Sequence, residues 1–225
     1  MKRAAVVILI VTAALAGYAL VPPSGPRSIR QFDPDRMADL ELRMWQAYYA
    51  KEKARLFGLL VTMLHEQYRY SWATASIEGF HLARAASTFA DAKGNYDAVL
   101  PDLEAAYSRA KSWLHAGFDP RAVARAELSW WVARRMPGQN SALQVGTLMA
   151  DEYALLYETS RDRVLRAAYL RAEAAALRDT QAAQPDWETI GALLKQSYRG
   201  LLASLSTLNA GVTTDPCLVQ LRGVA

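Results

Sequence analysis

The chain has 225 residues, and 26 lysines and arginines against 22 acidic residues give it a formal charge of +4. Lys2 and Arg3 lie in the leading segment, so the rest is near +2 with both signs interspersed; no basic stripe forms, which argues against nucleic acid although the pI is 9.2. The one cysteine, Cys217, cannot close an internal disulfide, so no covalent staple is expected to hold the fold.

Met1-Lys2-Arg3 is a short positive start, and residues 4–21 carry no charge. That run of roughly 18 residues reaches the lower limit for a helix crossing a bilayer, and its cationic head is that of a secretory signal. Two outcomes stand open. Residues 1–21 are either a retained signal-anchor, single-pass in an inner or plasma membrane, or a signal peptide. Ala14-Leu15-Ala16 is an A-x-A site, so cleavage after Ala16 would leave a secreted chain. Tyr18 stands where a lipoprotein would need cysteine. A short cationic tail stays inside, which places the bulk outside the cytoplasm, in a periplasmic space.

Residues 22–34 hold Pro22, Pro23, Gly25 and Pro26 and read as a stiff, irregular spacer. From 35 to 208 the apolar period is helical. Asp33-Pro34 is a cap with a first-turn proline, and Met37, Leu40, Met44, Trp45, Tyr48, Leu56, Leu59, Leu60, Met63 and Leu64 predict one long helix over 35–69. A second covers 72–92, and a third opens at Pro101 and ends at Gly117. A fourth runs from Asp119-Pro120 to Pro137-Gly138, and a fifth starts at Asn140 or Ser141. A sixth starts at Ser160, and a seventh runs from Pro185-Asp186 to about Leu208. No strand pattern competes. The expectation is an all-α domain of about seven helices, an antiparallel bundle or stacked helical hairpins, with a loose tail over 209–225. Arg171, Glu173, Arg178 and Asp179 read as an exposed, charge-paired face of the sixth helix.

Gly94-Asn95-Tyr96-Asp97, followed by Leu103, Ala106 and Tyr107, resembles the turn and second helix of a tetratricopeptide repeat. Trp187-Glu188-Thr189-Ile190-Gly191 is similar to the opening of one. The resemblance implies hairpins stacked into a peptide-binding surface. Val99 and Lys111 replace the alanine and proline of the motif, and no fixed period joins the two stretches.

Two constellations bear on chemistry. Glu78 and His81 stand three apart on one helix, as in carboxylate-bridged di-iron bundles, and Glu41 and Glu127 could add carboxylates for iron or manganese. The second Glu-x-x-His of those bundles is missing, so the plainer expectation is a hydrogen-bonded helix pair and no cofactor. The second is Glu127, Trp130, Trp131 and Arg134 on one helix, echoed by Glu41, Trp45, Tyr48 and Tyr49. These could line a ligand pocket or partner groove. Aromatic stripes at helical spacing are usually core, so the plainer expectation is an ion pair beneath large side chains, with Arg134, Arg135 and Arg43 as local partners for the glutamates.

Nucleophilic and phosphate chemistry find no apparatus. His65-Glu66-Gln67-Tyr68-Arg69 lacks the second histidine of a zinc-protease helix, and Ser108-Arg109-Ala110-Lys111 lacks the companions of its motif. The expected role is a membrane-anchored extracytoplasmic interaction or assembly factor with a protein partner or self-association. A helical metal-binding protein is the alternative.

Overall fold

The structure, a computed structural model, describes residue 12 and residues 17–206. The expectations for residues 1–11 and 13–16, and for the tail over 209–225 with Cys217, lie outside the described residues. Among those described, no helix is long and apolar enough to cross a membrane.

From residue 34 to residue 206 the chain is all-α. Its helices are α1 (Pro34–Tyr49), α2 (Lys53–Tyr68), α3 (Trp72–Asp91), α4 (Leu100–Leu114), α5 (Pro120–Arg135), α6 (Ala142–Leu156), α7 (Arg161–Thr180) and α8 (Trp187–Ser206), with a 3-10 turn at Tyr96–Val99 leading into α4. The caps do what their residue types allow. Asp33 accepts from the amides of Asp35 and Arg36, Asp119 from Arg121, Ser71 from Thr74 and Ser141 from Gln144, each satisfying a backbone N–H that the first turn leaves free.

The long helix expected over 35–69 is two helices. The Glu52 amide bonds the Ala47 carbonyl at 2.9 Å, and Lys51 takes a left-handed φ of 61°. A straight helix of that length would spread its apolar face over about 50 Å. Folding back instead buries Leu40 and Ala47 of α1 against Leu59 of α2. Packing overrides local propensity here, because nothing in Ala50-Lys51-Glu52 forbids a helix.

Each helix packs on the next, and α8 packs back on α1, so the eight close into a ring. Leu42 of α1 touches the backbone position where Gly191 of α8 has no side chain, and Arg199 of α8 holds Asp35 of α1 at 2.6 and 2.8 Å. Gly146 permits the closest approach. A Cβ there would stand 2.8 Å from the Tyr169 Cα, so α6 and α7 meet backbone to backbone over Ala168 and Ala172. The main core joins Met37, Val123, Met149, Val164, Ile190, Leu194 and Leu201.

Residues 22–33 contain no helix, and from Gly25 onward they lie along the domain. The Arg27 guanidinium stacks 3.7 Å from the Trp113 ring, and Arg30 donates to the Tyr157 and Glu158 carbonyls at 2.6 and 3.0 Å. Phe32 packs against the rings of Tyr157 and Tyr198.

Candidate functional site

Seven of the eight helices, all but α3, send a polar or aromatic side chain to the middle of the ring. Arg171 of α7 donates through Nε and Nη2 to Glu41 Oε1 of α1 at 2.9 and 2.6 Å, and Tyr198 of α8 donates to Glu41 Oε2 at 2.7 Å. The exposed face expected over Arg171, Glu173, Arg178 and Asp179 is therefore wrong at Arg171, and also at Arg178, whose side chain is mostly buried over the Tyr49 ring, while Asp179 is exposed. Arg171 is mostly buried, and its guanidinium lies 5.2 Å from the Trp130 ring.

Beside that pair stand two more carboxylates. Tyr107 of α4 donates to Glu127 Oε2 of α5 at 2.8 Å and reaches Glu152 Oε1 of α6 at 3.3 Å. Trp130 Nε1 donates to the other oxygen of Glu152 at 2.5 Å, and the Trp131 indole lies near enough to Glu127 to favour its charged form. Neither carboxylate has a salt-bridge partner among the described residues.

Desolvation, then the charge of Glu152, pushes the Glu127 carboxyl up to about 8; its bond from Tyr107 only partly offsets this. Glu152 is raised too, first by desolvation and against the pull of Arg171. Two carboxylates around one hydroxyl titrate together, and at neutral pH the pair holds on to a proton. Burial also drives Tyr68 up to about 12, with both glutamates adding to the rise, and drives Tyr107 well above its ordinary value.

Glu127, Tyr107, Tyr68 and Trp131 each keep part of their surface open. Glu127, Tyr107 and Tyr68 are strongly desolvated and still part-exposed, so they lie where the middle of the ring comes to the surface, and this part-open place is the cleft. Trp130 and Trp131 meet edge to face at 6.1 Å, and Phe118 stands edge-on to Tyr107 at 6.2 Å, so the walls are rings.

The remaining candidates from sequence disperse. Glu78 is buried in an ion pair with Arg109 of α4, and His81 Nδ1 lies 3.4 Å from Asp102, which Arg84 also holds. Glu41 and Glu127 are engaged as described, and no group of three or more His, Cys, Asp or Glu could hold a metal among the described residues. Arg134 does not pair with Glu127; it bonds Asp179 at 2.7 Å. Nor do the other local arginines, since Arg135 caps the Phe89 carbonyl and Arg43 faces Asp39. Tyr49 also reaches Asp179 and lies beneath Arg178, Tyr48 is exposed, and Trp45 packs at the edge of the main core. The pocket expected from sequence thus divides: Glu127, Trp130 and Trp131 go to the cleft, while Tyr49 and Arg134 go to a surface pair with Asp179. Two open grooves on the outside are lined by Phe118, Leu155, Glu158 and Arg163, and by Tyr49, Arg55, Arg178 and Trp187. Neither gathers the central carboxylates.

Sequence reading missed Tyr68, Tyr107, Glu152, Arg171 and Tyr198. Two of them had a visible signal. Glu152 continues the buried row Val145, Met149, Leu156, and Arg171 the row Val164, Ala167, Ala174. A charge set in an apolar row is a group that needs a partner inside.

No family model, no curated protein and no solved structure matches the chain.

Proposed function

We propose that this chain is an interaction or assembly factor, held at an inner or plasma membrane by residues 4–21 with its bulk in the periplasmic space, and that the central cleft is its recognition element. In this reading the domain is an antiparallel bundle closed on itself around that cleft. One observation carries the choice: Tyr107 bridges Glu127 and Glu152 between aromatic walls, and among the described residues neither has a salt-bridge partner. A buried carboxylate pair adds nothing to helix packing, and apolar residues of like size would hold the ring together at least as well. Such a pair is retained where something outside the fold needs it.

The test is native mass spectrometry of the full-length chain drawn from its own membrane in mild detergent, beside Glu127→Gln and Trp131→Leu. Support is an added mass on the intact chain that either variant loses. A chain beginning at Gly17 overturns the anchor, and a bare chain, or an added mass indifferent to both variants, overturns the cleft as recognition element.

A further inference from the structure

We infer that the outer groove between the α1–α2 turn and the start of α8 is a site for a carboxylate carried on a flat apolar body, with Arg178 and Arg55 as its cationic wall. It shares no residue with the central cleft, so neither depends on the other.

Two turns build the groove. The chain reverses at Ala50 and brings Arg55, in the first turn of α2, back beside Gln46 and Tyr49 of α1. On the other side the connection after α7 returns through Pro185 into Trp187, the first residue of α8. The space between is about 450 Å³, room for a ring with a short acidic arm. The same turns occupy the carbonyls that two helix ends would otherwise present to an anion. Gln46, Ala47 and Tyr48 accept from the amides of Ala50, Glu52 and Lys51, and Leu177 accepts from Gln181 and Thr180.

The charges decide what fills it. Arg55 and Arg178 line the groove, and among the described residues no carboxylate does. Asp186, next to Pro185, is turned to Thr189 through both its oxygens. Arg55 is balanced by Glu52 at 2.7 Å. Arg178 is not balanced. Its Nη1 reaches Asp179 Oδ1 only at 3.4 Å, while Tyr49 donates to that oxygen at 3.3 Å and Arg134 holds Oδ2 at 2.7 Å. Two guanidiniums share one carboxylate, and one positive charge is left over. The surplus sits on a side chain only 14% exposed, stacked on the Tyr49 ring, with its Nε buried and unpartnered among the described residues. A mostly desolvated guanidinium in excess of its counter-charge gains from a second acceptor.

One surplus charge calls for one anionic charge, and the planar fork of an arginine matches the two oxygens of a carboxylate. Trp187 and Pro185 offer an apolar wall to the body that carries it, and the Gln46 amide adds a donor. A cation is repelled there, and a metal ion finds no carboxylate to hold it. The other outer groove mixes Arg163 with Asp119 and Glu158, so it has no such surplus. A free aromatic acid carries this chemistry, and so does an acidic residue beside an aromatic one in a partner's chain.

Isothermal titration of the full chain in an uncharged mild detergent tests this with benzoate and phenylacetate, beside benzyl alcohol, benzylammonium and acetate. An acetylated, amidated dipeptide of aspartate and phenylalanine is the remaining probe. The expected result is binding of at least one aromatic carboxylate, about tenfold or more over the alcohol, the amine and acetate. A dipeptide that binds tighter than the free acids makes the source a partner's chain; the reverse order makes it a small molecule. Two variants should move binding in opposite directions. Arg178→Gln removes the surplus and weakens binding about tenfold, whereas Asp179→Asn, at an exposed position, removes the competing carboxylate and tightens it roughly threefold. If circular dichroism shows Arg178→Gln misfolded, the exposed Arg55→Gln takes its place, with binding weakened about threefold. Equal binding of the alcohol overturns the carboxylate class. Binding that neither the arginine variant nor Asp179→Asn shifts overturns the groove as its place, and no binding by any probe overturns the inference.

Discussion

Glu41 is nearly sealed, and both its oxygens are occupied, one by Arg171 and the other by Tyr198. Removing it leaves a guanidinium inside the protein with no counter-charge. Glu41→Ala should therefore destabilise the fold by about 3 kcal/mol or more, read as a shift in denaturant midpoint at constant slope. A loss under about 0.5 kcal/mol would mean that Arg171 finds water or another partner. Glu127 is a different kind of glutamate. It has no salt-bridge partner among the described residues, so its truncation leaves no buried cation behind. The sequence could not separate the two, because each precedes a tryptophan by three or four residues and each has arginines nearby. What distinguishes them is which helix arrives opposite: α7 brings Arg171 to Glu41, and α4 brings only a hydroxyl to Glu127.

The turn between α1 and α2 makes its own prediction at the level of the element. Lys51 sits at φ 61°, a conformation that glycine adopts without the penalty of a Cβ. Lys51→Gly should stabilise the protein by roughly 0.5–1 kcal/mol in thermal or denaturant unfolding. In an unbroken helix over 35–69 the same change would destabilise by about 1 kcal/mol, so the sign alone decides between hairpin and rod. Most helix starts were legible because Asp33-Pro34, Asp119-Pro120 and Ser141 mark them chemically. The break at Lys51 was not, since no glycine or proline stands there and only the fit of Leu59 against Leu40 and Ala47 imposes it. The cleft was half legible. Glu127, Trp130 and Trp131 share a helix and could be grouped by spacing, whereas Tyr68, Tyr107 and Glu152 come from three other helices. No period within one segment can join them. Arg171 was misread because a charge among alanines looks like a surface residue until its helix is known to be buried.

For the molecule as a whole, the cleft should tilt stability with pH. Glu127 rises from 4.5 to about 8 on folding and Glu152 rises with it, so the native state binds protons that the unfolded chain has already released. Their contribution is complete below about pH 4.5 and is lost as pH climbs to about 8. Glu66 and Asp102 are lowered by their arginines and act oppositely, losing stability only as pH falls below the ordinary carboxylate range. Melting followed by circular dichroism should thus show wild type weakening from about pH 5 to about pH 8.5, by on the order of 2 kcal/mol. Glu127→Gln should flatten much of that slope; parallel curves for the two would show that Glu127 does not titrate there. The ring also fixes where its leading segment departs. Arg30 grips the carbonyls at the end of α6 and Arg27 lies on Trp113, so only residues 22–26 separate residue 21 from the first grip. Fully extended, that leash spans roughly 20 Å. Under the proposed anchoring the domain would ride close above the membrane with the side bearing Arg27 and Arg30 toward it, leaving the flanks and the far end as the routes of approach.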